Sequence, residues 1–82
     1  MIRKRIKMTS PMGLNAKAAA LLVQTAGRFT SKIWIIKDEK KVDAKSIMGL
    51  MSLTVPRGAE ISLEADGEDE QLAIKRLIEL IE

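Results

Sequence analysis

Two stretches of this chain bring together residue types that could handle an anion. The first is Gly13-Leu14-Asn15-Ala16-Lys17-Ala18, where a loop glycine leads into an alanine-rich run with a lysine near its start. The first N–H groups of a helix have no intrahelical partner, so a helix beginning at Ala16 would offer free donors beside the Lys17 ammonium. The plainer reading is that Asn15 only caps that helix and Lys17 is solvated. The second stretch is Lys45-Ser46-Ile47-Met48-Gly49-Leu50-Met51. Ser46 suits an N-cap, and the spacing of Leu50 and Leu53 would turn both toward a core. Ile47, Met48 and Met51 then fall toward solvent, where methionine makes an adaptable contact surface. A phosphate on Ser46 would carry about −1.5 to −2 charges and meet the positive end of the helix. The plainer reading here is that Ser46 is only a cap and the methionines fill a small core.

Little other chemistry is open to the chain. It has no histidine and no cysteine. The commonest general base, the physiological-pH switch, thiol redox chemistry and cysteine-based metal sites are all excluded. There is no phosphate loop of the Walker type and no zinc spacing. The carboxylates between Glu64 and Glu70 have no partner base, and one Trp with one Phe cannot furnish the stacked aromatics of single-strand RNA readers. No catalytic residue, metal or cofactor is expected. No apolar run approaches a membrane span, and no apolar segment follows the N-terminal charges. The expectation is an intracellular protein without a signal peptide or membrane partner.

These residues need a scaffold. Eighty-two residues, 46% apolar and 30% charged, predict one globular domain over 1–82 with a thin stability margin. Residues 2–8 alternate, with Ile2, Lys4, Ile6 and Met8 on one side and Arg3, Arg5 and Lys7 on the other, as in a strand with one wet face. Asn15, the alanine-rich run and Gly27 predict a helix over 16–26. Residues 32–37 are β-branched and aromatic and predict a strand, with a turn at Asp38-Glu39 into a second one over 40–43. A short helix over 47–53, a turn at 56–58, an alternating strand over 60–65 and a helix over 70–81 complete the order β-α-β-β-α-β-α. The last helix carries the stripe Ile74, Leu77, Ile78 and Ile81. An α+β fold follows, with amphipathic helices covering one apolar face of the sheet.

Charge is placed unevenly, about +8 over residues 1–45 and −5 over the remainder. Such asymmetry is one mark of nucleic-acid binding. It is explained equally by pairing the first strand antiparallel to the last, so that Arg3, Arg5 and Lys7 face Glu60, Ser62 and Glu64 on a solvated surface.

At the two candidate stretches, and over essentially the whole chain, the sequence resembles the HPr family, the small phosphocarrier proteins of the bacterial sugar phosphotransferase system. The likeness is carried by the element order, by the Gly13-Leu14 entry, by Lys45-Ser46-Ile47-Met48-Gly49-Leu50-Met51-Ser52-Leu53 and by Gly67-Glu68-Asp69-Glu70. It implies an open-faced β-sandwich whose four-stranded antiparallel sheet has the order 1-4-2-3. The family pattern at the helix entry is Gly-Leu-His-x-Arg-Pro-Ala. Here Asn15 stands at the phosphorylated histidine, Lys17 at the arginine and Ala18 at the proline. An amide nitrogen is not nucleophilic and forms no reactive phosphoramidate, so the resemblance implies a degenerate carrier site.

The serine stretch is intact. Together with Val23-Gln24, Arg28-Phe29-Thr30-Ser31, Lys37-Asp38 and Lys40-Lys41-Val42, it resembles the regulatory, histidine-lacking branch of the family, the Crh-type (catabolite repression HPr-like) proteins. That branch keeps the arginine and proline, whereas this chain does not. The likeness implies a cytoplasmic, non-catalytic protein phosphorylated on Ser46 by HPr kinase/phosphorylase. It would act as corepressor of a LacI-type catabolite-control regulator without touching nucleic acid directly. Ile47, Met48 and Met51 would make the apolar contact, with Lys17, Ala20, Leu21 and Lys45 around it. Two alternatives stand beside this reading. One is an adaptor of the same fold that binds a sugar-metabolism partner without phosphorylation. The other is a small nucleic-acid binder using Arg3, Lys4, Arg5 and Lys7.

Overall fold

The computed structural model describes residues 1–81. The elements are β1 (Ile2–Lys7), α1 (Ala16–Ala26), β2 (Lys32–Lys37), β3 (Lys40–Asp43), α2 (Ile47–Met51), β4 (Glu60–Asp66) and α3 (Glu70–Ile81). The strands form one antiparallel sheet in the order β1-β4-β2-β3, as the resemblance implied. The three helices follow the strands in the expected sequence order.

Alternation along β4 decides how the layers meet. Ile61, Leu63 and Ala65 point to one face and are buried there with Ile6 of β1 and Ile33 and Ile35 of β2. Helix α1 lays Ala19, Leu22 and Ala26 on that face, and α3 lays Ala73, Ile74, Leu77 and Ile81. Small residues at 19, 26 and 73 bring the helix backbones close. All these side chains join one buried cluster with Leu50, Leu53 and Val55.

Three sequence expectations need correction. Strand β1 ends at Lys7, and Met8 beyond it is buried in the core. Helix α2 ends at Met51 rather than at residue 53. The Ser52 hydroxyl donates to the Gly49 carbonyl at 2.6 Å and the Leu53 N–H turns back to the Leu50 carbonyl at 3.1 Å, which closes the helix early. Most consequentially, Ser62 and Glu64 are buried although their face of the sheet carries no helix. They sit on the second strand from one edge, Ser62 between Arg5 of β1 and Ile36 of β2, and Glu64 between Arg3 of β1 and Trp34 of β2. Arg3 reaches Glu64 at 3.4 Å from β1, and Lys41 reaches it at 3.0 Å from β3 while lying 4.4 Å from the centre of the Trp34 ring. Aliphatic stems of such residues cover surface while their charged heads stay wet.

A second tie fixes the end of the sheet to α3. The Thr30 and Ser31 N–H groups donate to the two Asp69 oxygens at 2.9 and 3.0 Å, and the Ser31 hydroxyl donates to the same carboxylate. The Ser31 hydroxyl, then the Thr30 N–H, hold the Asp69 carboxyl down at about 2, below its ordinary 3.8.

Candidate functional site

The Asn15 end is built by a loop that docks on the segment before β4. Gly13 has φ 64°, and a Cβ there would overlap the Val55 carbonyl oxygen. Only glycine combines that backbone with that approach. The Leu14 N–H then donates to the same carbonyl at 2.8 Å, which orients the first turn of α1. Asn15 is extended, with φ −97° and ψ −178°, and its side-chain oxygen accepts from the Ala18 N–H at 2.8 Å. The capping reading of Asn15 is therefore realised. Lys17 is exposed and makes no ion pair among the described residues. Ala20 and Leu21 are exposed on the same helix.

This geometry gives a reason for Ala18. A proline at that position has no N–H to donate, so the Asn15 cap requires a residue such as alanine three positions on. Asn15 and Ala18 form one hydrogen-bonded unit.

The Ser46 end is built from the turn after β3. The Ser46 hydroxyl oxygen accepts from the Gly49 N–H at 3.1 Å and caps α2. Lys45 is oriented twice: its N–H donates to Asp43 at 2.8 Å, and its ammonium donates to the Phe29 carbonyl at 2.8 Å. Leu50 is fully buried and Leu53 nearly so, as their spacing predicts. Ile47, Met48 and Met51 point outward, with Met48 81% exposed and Met51 50% exposed. The reading in which these methionines fill a small core is excluded. Met8, by contrast, is a core methionine.

Among the described residues no side-chain hydrogen bond joins the Asn15 end to the Ser46 end. Helix α1 has 11 residues and is about 16 Å long. Asn15 caps its start, whereas Lys45 fastens the Ser46 turn to Phe29, beyond its end. Sequence reasoning missed the contribution of α3 to the Asn15 end. Leu80 and Ile81 close a cavity of about 270 Å³ there, together with Met8, Ser10, Asn15 and Lys17. It also passed over Met12, which lies at that cavity and is 75% exposed. A large apolar residue in a Pro-Met-Gly loop, with no helical or strand spacing to bury it, was the available signal. Among the described residues no group of His, Cys, Asp and Glu could hold a metal ion, and no helix is long and apolar enough to cross a membrane.

Fold, helix entry and serine-capped short helix define a class of protein, and comparison with known proteins agrees with it. Residues 2–82 match the PTS-HPr family, described as the PTS HPr component phosphorylation site. The chain belongs to the HPr family. It is 54% identical over 82 residues to the HPr-like protein Crh of Halalkalibacterium halodurans, a match spanning 100% of this chain and 98% of that one. Among solved structures, an HPr from Thermoanaerobacter tengcongensis superposes with a TM-score of 0.94 at 53% identity, covering 99% of this chain and 91% of that one. The crystal structure of Bacillus subtilis Crh, described as a domain-swapped intertwined dimer, matches at a TM-score of 0.79 and 51% identity over 99% of this chain and 93% of that one.

Proposed function

We propose that this chain is a cytoplasmic, non-catalytic regulator of the HPr family. HPr kinase/phosphorylase phosphorylates it on Ser46, and the phosphoprotein acts as corepressor of a LacI-type catabolite-control regulator. The observation that carries this reading is the α2 end of the molecule. A serine hydroxyl caps the helix, Lys45 is anchored next to it, and Ile47, Met48 and Met51 stand exposed around it. A phosphate oxygen on Ser46 can take over as acceptor of the Gly49 N–H, so modification keeps the helix start satisfied. The new charge sits beside an apolar patch, which is the combination of ionic anchor and desolvated contact that makes an affinity switch.

Carrier activity is absent in this reading, because the side chain at the family's histidine position is an amide already engaged in capping. Lys17 gives a point charge where the family has the planar arginine fork, so it contributes a weak rim contact. Arg3 and Arg5 each reach a carboxylate of β4, Glu64 at 3.4 Å and Glu60 at 3.9 Å, while staying more than half exposed, so the uneven charge of the chain needs no nucleic acid to explain it.

The test is incubation with ATP and HPr kinase/phosphorylase, followed by mass spectrometry. One added phosphate is expected, located on Ser46 and lost in Ser46→Ala. Phosphate elsewhere, or none, overturns the corepressor reading and leaves an adaptor that binds through the bare patch.

A further inference from the structure

Strand β1 is an outer strand of the sheet, paired with β4 along one edge and, among the described residues, with no strand along the other. The ladder shows which backbone groups face outward. The Met8 N–H donates to the Ala59 carbonyl at 2.8 Å, one step beyond the Lys7–Glu60 pair and in the same register. Inward and outward positions alternate along an antiparallel pair. Ile6, Lys4 and Ile2 therefore turn their backbone groups toward β4, and Arg3, Arg5 and Lys7 turn theirs outward. Beside this edge, on the helix side, Ile2, Lys4, Ile74, Lys75 and Ile78 line a shallow, mainly apolar groove against α3. On the opposite face stand the side chains of Arg3, Arg5 and Lys7.

An open edge invites another strand, and charge decides which one. Four of the six residues of β1 are basic, so antiparallel pairing with the same strand of a second copy sets cations against cations. The complementary pattern is already present in the chain as the inner neighbour of β1. Strand β4, Glu60-Ile61-Ser62-Leu63-Glu64-Ala65-Asp66, alternates polar or acidic residues with apolar ones and meets Arg3 and Arg5 with Glu64 and Glu60. We propose that the outer edge of β1 is a docking site for an extended acidic segment of another protein. The segment adds as a fifth strand, with its apolar side chains in the groove beside Ile2 and Ile78 and its carboxylates beside Arg3, Arg5 and Lys7. Main-chain hydrogen bonds supply the affinity and the alternating side chains the specificity. This surface lies on the β1–α3 side of the molecule and is independent of the Ser46 reading.

The test uses the whole chain and an end-capped peptide of alternating glutamate and valine as long as β1. Amide exchange followed by NMR should show new protection at Arg3, Arg5 and Lys7 on binding, with Ile2, Lys4 and Ile6 unchanged. Arg5→Pro deletes an outward N–H while sparing the β4 ladder, which is where an edge strand tolerates proline. It should bind the peptide at least about tenfold more weakly than Arg5→Ala, which loses the same charge but keeps the N–H. A peptide of alternating lysine and valine should not bind. Equal affinity of the two variants overturns the proposal, as does absence of binding. Loss of protection at Ile2, Lys4 and Ile6 overturns it in favour of exchange onto β4, and peptide-independent dimers with protected Arg3, Arg5 and Lys7 overturn it in favour of a second copy. The exchange pattern of the unsubstituted chain decides the matter even if Arg5→Pro does not fold.

Discussion

Asn15 and Ala18 share one hydrogen bond, and that bond can be measured. Asn15→Ala removes the acceptor and Ala18→Pro removes the donor of the same 2.8 Å contact. Each change should cost about 1 kcal/mol of stability. Together they should cost little more than either alone, because the second has nothing left to break. Denaturant unfolding of the two singles and the double gives the coupling directly, and additive losses would show that the cap contributes nothing. The patch residues behave differently. Met48 is 81% exposed, so Met48→Asp should change stability by no more than about 0.5 kcal/mol. Under the proposed function, binding of the Ser46-phosphorylated chain to a LacI-type regulator should fall by at least about tenfold, since a desolvated apolar contact becomes an unpaired charge. Calorimetry for binding and thermal melting for the fold separate the two effects. A large drop in Tm would place this side chain in the core and end the patch argument.

At the scale of elements, neither end of the candidate surface is self-supporting. Helix α2 has five residues, far fewer than an isolated helix needs to form in water. Leu50 in the core, the Ser46 cap and the Ser52 hydroxyl bond hold it. The entry to α1 depends on Gly13 in the same way. Gly13→Ala must either keep a left-handed backbone with a Cβ against Val55 or withdraw the loop. A cost of about 2 kcal/mol or more is expected. Because the Leu14 N–H bonds the same carbonyl, amide shifts should spread from residues 13–15 to 55–57 and leave α2 unmoved. Shifts confined to residue 13 would refute the docking of this loop.

For the molecule as a whole, acid should loosen the tie between the sheet and α3. The Asp69 carboxyl is held at about 2 in the folded protein against an ordinary 3.8. A carboxyl with a depressed folded value stabilises the fold above its unfolded value, and that contribution is lost as pH falls through the folded one. Stability should therefore decline as pH falls from about 4 toward about 2. Glu70 is also depressed, by the Gly67 N–H and then the terminal amino group, and acts in the same direction. Asp69→Asn should lower Tm at neutral pH and flatten the decline in that window. An unchanged pH profile in this variant would assign the acid sensitivity to other carboxylates. The uneven charge of the chain is also resolved at this scale, because strands β1 and β4 come from opposite halves and lie side by side.

Element order, the helix starts at Asn15 and Ser46, and the inward turn of Leu50 and Leu53 were legible in the sequence, because each depends on local periodicity or on a side chain reaching three residues along its own backbone. The outward turn of Ile47, Met48 and Met51 was legible for the same reason, although spacing by itself could not exclude a small core beneath the methionines. The strand order came from the family resemblance and from complementary charges on the first and last strands, not from periodicity. Burial of Ser62 and Glu64 was not legible. It arises around Glu64 from Arg3, Lys41 and Trp34, and around Ser62 from its cross-strand neighbours Arg5 and Ile36, all of them distant in sequence and brought to β4 only once the sheet forms. The same holds for the Asp69 clamp on Thr30 and Ser31, for the anchoring of Lys45 on Phe29, and for the closure of the Asn15 end by α3. What the sequence determined by itself was each segment's own conformation and the residue types at each end of the candidate surface. Tertiary structure alone decided which charges are buried and which backbone edge stays open, because those properties belong to neighbours that periodicity does not name.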